Sequence, residues 1–82
     1  MICRKRFVKE LRRLKFSFKS MTKSERHELY MRGTLPIYVD RQDEILPQLV
    51  YVELRKAGVP EEEAKAFIAN QENWPKREQT KS

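Results

Sequence analysis

Eleven lysines and arginines fall within the first 32 residues, namely Arg4, Lys5, Arg6, Lys9, Arg12, Arg13, Lys15, Lys19, Lys23, Arg26 and Arg32, against the three acids Glu10, Glu25 and Glu28. That end of the chain carries a charge of +8, while the rest sums to −2 within a total of +6. Guanidinium and ammonium groups at this density neutralise phosphates and release their condensed counterions, or grip an acidic protein surface by the same Coulombic attraction. The candidate binding set is Lys5, Arg6, Lys9, Arg12, Arg13, Lys15, Lys19, Arg26 and Arg32.

Other reactive side chains do not assemble into a constellation. His27 is the only histidine; Ser24 lies three residues before it, with no third group to orient the pair, and the spacing fits an exposed helix position. Cys3 is the only cysteine, so neither an internal disulfide nor a multi-thiol metal site can form. Gly33 and Gly58 stand alone, without the clustering of a phosphate-cradling loop. Glu61, Glu62 and Glu63 are three consecutive carboxylates, but the first turn of a helix favours them through its dipole. The expectation is a protein without catalysis, metal or cofactor.

The elements that must position the cations are short. Phe7, Leu11, Leu14 and Phe18 recur at helical spacing and form one stripe, with the basic residues fanned across the opposite side. Phe16 breaks this pattern, and the alternation Phe16-Ser-Phe-Lys19 would suit an extended exit, with the helix ending near Lys15. Thr22 and Glu25 have the spacing of a capping box, which with Gly33 as a stop predicts a second helix over 23–32. Residues 34–39 have strand-like composition, but Pro36 restricts them to an edge strand or extended connector.

A third helix, capped by Asp40 or Asp43, is predicted to become regular near Leu46, with Pro47 in its first turn and Gly58 as its terminator. A fourth starts at Pro60 and carries Ala64, Phe67 and Ile68 inward, with Asn70 as its stop. The resulting fold class is all-α, a bundle of three to four short helices with one extended segment between the second and third. It forms one domain over 1–74, with a disordered tail over 75–82. The expected core is Phe7, Leu11, Leu14, Leu29, Leu46, Leu49, Val50, Leu54, Ala64, Phe67 and Ile68.

Two family resemblances arise in the second half. Ala57-Gly-Val-Pro-Glu-Glu-Glu-Ala-Lys-Ala-Phe-Ile68 resembles the loop and second helix of ubiquitin-associated domains. The order extended segment, helix, Gly turn, helix resembles ribbon-helix-helix DNA-binding proteins. That resemblance implies groove-reading positions at Thr34, Pro36, Tyr38 and Asp40, where a proline and an acid are poor base readers.

Eighty-two residues leave room for a small core and little for a deep catalytic cleft. No apolar run survives beyond two residues in the basic N-terminal stretch before another charge, so neither a secretory leader nor a membrane span is expected. An intracellular setting is expected, cytoplasmic or nucleoid-associated. The functional expectation is a small basic nucleic-acid-binding, DNA-binding or RNA-binding, regulatory protein that contacts phosphates through its N-terminal helices. The alternative is an inhibitor or adaptor whose basic helix grips an acidic partner protein. Membrane attachment is not expected, and a homodimer could form through residues 35–39 or an exposed face of the third helix.

Overall fold

The computed structural model describes the backbone of residues 1–81 and the side chains of residues 1–71. The order of elements is β1 (Ile2–Cys3), α1 (Arg4–Arg13), β2 (Ser17–Met21), β3 (His27–Arg32), β4 (Leu35–Asp40), β5 (Glu44–Ile45), α2 (Pro47–Lys56) and α3 (Glu61–Lys81). The fold is therefore mixed α/β, and the expectation of an all-α bundle is wrong. A three-stranded antiparallel meander β2-β3-β4 forms one layer; β1 pairs with β5 in a separate two-stranded ribbon. The tail expected over 75–82 falls on residues whose side chains, and for Ser82 the backbone as well, lie outside that description.

The error lies in residues 17–32, where local signals for a helix also build a hairpin. Thr22 does not cap a helix: its amide donates to the His27 carbonyl (3.0 Å), its carbonyl accepts from the Glu25 amide (2.9 Å), and its hydroxyl accepts from the His27 amide (3.4 Å). Glu25 takes φ 59 to close this turn. Gly33 has φ 62, as a helix stop would, but stands first in the two-residue turn that joins Arg32 to its partner Leu35. With both ends turned back, β3 alternates: Glu28 and Tyr30 pair with Val39 and Ile37 on the core face, while Leu29 and Met31 oppose Tyr38 and Pro36 on the other.

Pro36 sits on an edge strand, as its missing donor requires. The amide of Tyr38, two residues on and so pointing the same way, donates outward to Glu53 Oε1 on α2 (3.1 Å). The partner of β4 is the chain's own β3, so strand pairing with another chain, as in the ribbon-helix-helix arrangement, is not needed to satisfy it.

Both α1 and α2 end in a Schellman turn. At α1, Lys15 donates to the Arg12 carbonyl and Phe16 to the Leu11 carbonyl, both at 2.9 Å. At α2, Gly58 donates to Arg55 and Val59 to Leu54, at 3.0 and 3.1 Å. Each turn folds an apolar residue back onto its helix, Phe16 onto Leu11 and Val59 onto Leu54, and all four are buried. This accounts for Phe16, which belongs to the turn and not to the basic face. Gly58 meets the left-handed requirement with φ 89; at α1 a lysine must do so, with φ 76 at Lys15.

The core lies between the helices and the inner face of the meander. Phe7, Leu11, Val50, Leu54 and Ala64 are buried there as expected, and Ile2, Val8, Phe16, Tyr30, Ile37, Val39, Ile45, Ala57 and Val59 join them. Leu14, Phe67 and Ile68 are partly buried against this cluster, and Leu29 is half-buried on the outer face of the sheet. Leu46 and Leu49 contradict expectation, being exposed at 46% and 48%. Pro47 does start α2, but no side chain caps it, so neither Asp40 nor Asp43 performs that role. Asp40 accepts from the Gln42 amide instead (3.0 Å).

Candidate functional site: a basic groove beside the first helix

Because the stripe Phe7-Leu11 is buried, α1 is fixed in rotation, and its cations are sorted by angle around it. Arg4, Lys5, Lys9 and Arg12 occupy one flank, together with Val8, and look across at Phe18 of β2 and at Glu28 and Tyr30 of β3. These residues line an open groove of about 740 Å³ between helix and sheet. Four cations against one carboxylate make it strongly positive.

Its interior is organised by Glu28. Glu28 Oε1 accepts from Arg4 Nη1 and from the Tyr30 hydroxyl, each at 3.1 Å. Burial, reinforced by the charge of Glu28 and this hydrogen bond, pushes the Tyr30 phenol above its ordinary value, so it remains a neutral donor. Above it lies Phe18, with ring centroids 5.7 Å apart and an interplanar angle of 77°. Tyr30 is buried at 3% exposure while Phe18 is 51% exposed, so the groove offers an aromatic surface anchored from beneath.

The remaining basic residues do not converge on this groove. Arg13 turns to Glu10 on its own helix, in a two-point pair with distances of 3.0 and 2.6 Å. Arg6 is exposed on the same helix but does not line the groove, and Lys15 and Lys19 fall at the Schellman turn and at the β2 irregularity. Arg26 lies at the β2–β3 turn, where it lines a shallow depression with His27, Asp40, Arg41 and Gln42. His27 is therefore a half-buried strand residue opposite Asp40, and not a helix surface residue.

Arg32 has a structural position. Its Nη1 donates to the Leu14 carbonyl and its Nη2 to the Ala57 carbonyl, each at 3.0 Å, and its guanidinium lies 4.6 Å from the centre of the Phe16 ring. Leu14 and Ala57 are the C-cap residues of α1 and α2, so one cation meets the negative ends of both helices.

Sequence reasoning missed Arg4, Phe18 and Glu28 as groove residues. Arg4 was legible from its i, i+4, i+8 spacing with Val8 and Arg12. Phe18 and Glu28 become groove residues only once β2 and β3 exist. Among the described residues, no three His, Cys, Asp or Glu side chains are placed to hold a metal ion, and no helix is long and apolar enough to cross a membrane.

Compared with known proteins, the chain matches no family model, no curated protein and no solved structure. The comparisons lend nothing to the expectation of a DNA-binding regulator, and any functional reading rests on the groove itself.

Proposed function

We propose that the protein binds nucleic acid, with backbone phosphates held by Arg4, Lys5, Lys9 and Arg12 and without catalysis. The observation that carries this reading is the placement of four cations along one flank of a rotationally fixed helix, facing an aromatic floor with a single carboxylate. Long cationic side chains along an open groove suit a chain of phosphates better than one compact anion. Burial of Phe7 and Leu11 also removes the apolar stripe that α1 would need in order to lie in a lipid headgroup layer.

Four phosphate contacts correspond to a salt slope of about −2.8 to −3.6, a loss of roughly 50- to 150-fold in affinity between 50 and 200 mM salt. Fluorescence anisotropy with a labelled oligonucleotide over that range tests this, with heparin retention as a second probe. If neither nucleic acid nor heparin is held at about 50 mM salt, where such contacts are strong, the reading is wrong.

A second reading has its own support. Tyr38, Leu49 and Val52 are each roughly half exposed around one small pit, with Leu46, the N-cap residue of α2, also exposed. A protein partner could cover this apolar face while the basic groove holds its acidic side chains. A pull-down that survives nuclease treatment as a stoichiometric complex would favour it.

A further inference from the structure

Resting on the reading of the groove as a phosphate site, we infer that its ligand is a single strand, with one unstacked base lying against Phe18. The ring belongs to the groove lining together with Arg4, Lys5, Lys9 and Arg12. It is 51% exposed although it sits on a strand beside a buried tyrosine. A phenylalanine whose sole role was packing would be drawn under α1 with Phe7 and Leu11; this one stays open to the groove.

The support beneath it suits a stacking platform. Tyr30 packs against Phe18 nearly at right angles, and its own hydroxyl is held by Glu28, which is held in turn by Arg4. The ring therefore has an ordered neighbour on the protein side and free space on the other. Bases in a duplex are already stacked on one another and have no free face to offer, whereas each base of a single strand does. Lys9 and Arg12, lining the same groove, then take the flanking phosphates. Stacking of this kind tolerates any base, so the site would select strandedness more than sequence.

The test compares three labelled probes of equal length in anisotropy titrations: oligo-dT, oligo-U and a blunt duplex. The protein variants are Phe18→Ala, Phe18→Leu and Phe18→Tyr, each checked for folding by far-UV circular dichroism. Both single strands should bind at least about tenfold more tightly than the duplex, and Phe18→Ala and Phe18→Leu should each lose about tenfold on single strands only. Phe18→Tyr, which keeps the ring, should bind as the parent does. Equal or tighter duplex binding, or a folded Phe18→Leu variant with undiminished single-strand affinity, overturns the inference while leaving the phosphate reading intact. Failure of all three probes to bind overturns the phosphate reading itself.

Discussion

Glu28 and Arg4 lie 24 residues apart in sequence and meet at 3.1 Å inside the basic groove, where the carboxylate also holds the Tyr30 hydroxyl. The pair is partly exposed, and the Nε of Arg4 is buried without a hydrogen-bond partner. On the proposed reading of the groove, Glu28 occupies the place a phosphate oxygen would take on Arg4 and would act as a resident competitor. It also orders the groove, so its removal should act on affinity and on stability in opposite directions.

Glu28→Gln keeps the shape and an acceptor but removes the negative charge. Its affinity for an oligonucleotide should rise about three- to fivefold at low salt, and its stability in urea should fall by about 1 kcal/mol or less, since the pair is partly solvated. Unchanged or weaker binding would show that Glu28 does not compete for the ligand.

Arg12 and Arg32 are indistinguishable by residue type, and their positions separate them. Arg12→Glu should weaken oligonucleotide binding by about tenfold or more and flatten the salt slope by about 0.7 to 0.9, with little effect on urea unfolding. Arg32→Ala should do the reverse: about 1 to 2 kcal/mol less stability, from the loss of two carbonyl contacts and the Phe16 contact, with affinity preserved in the folded protein. Equal effects of both variants on binding would contradict the division of the cations.

Tyr30 makes stability fall at alkaline pH. Its phenol is shifted upward in the folded state by burial first and Glu28 second, so the folded protein retains a proton that the unfolded chain releases near the ordinary tyrosine value of about 10. Stability is full below that value and declines as pH rises from it toward the folded-state value. Denaturant midpoints measured from neutral pH upward should decline less steeply in Tyr30→Phe than in the parent; identical alkaline limbs would rule Tyr30 out as the cause.

Lys15 spends energy on a left-handed backbone that α2 reaches with Gly58. Lys15→Gly relieves a strain of about 1 to 2 kcal/mol and loses part of it to the greater freedom of glycine in the unfolded chain. A net gain of about 0.5 to 1 kcal/mol in the urea midpoint is expected, and a loss would mean the lysine side chain stabilises the turn in some other way.

Much of the helical part was legible because its signals are local. Phe7 and Leu11 declared the buried stripe of α1, Pro47 the start of α2, and Gly58 with Pro60 the break before α3. Leu49 misled because apolar residues on a helix do not say which side meets the core, and Leu46 because it falls at the N-cap, before the helix begins; α2 lies along the edge of β4 with Val50 and Leu54 inward. The groove was half legible, since its cations follow helical spacing while its aromatic floor comes from strands that the Thr22–Glu25 pattern disguised.

By itself, the sequence determined a dense positive field at one end of the chain and the amphipathic helix that carries most of it. Charge and helical period are local properties, written in adjacent residues. Tertiary structure decided whether residues 17–32 became helix or hairpin, because Thr22, Glu25 and Gly33 serve both and only pairing with β4 and burial of Tyr30 under α1 favour the strand. It also gave equivalent cations different tasks. Arg12 faces an open groove and Arg32 joins two helix ends, because the position of a carbonyl or an aromatic ring across the fold is fixed by packing.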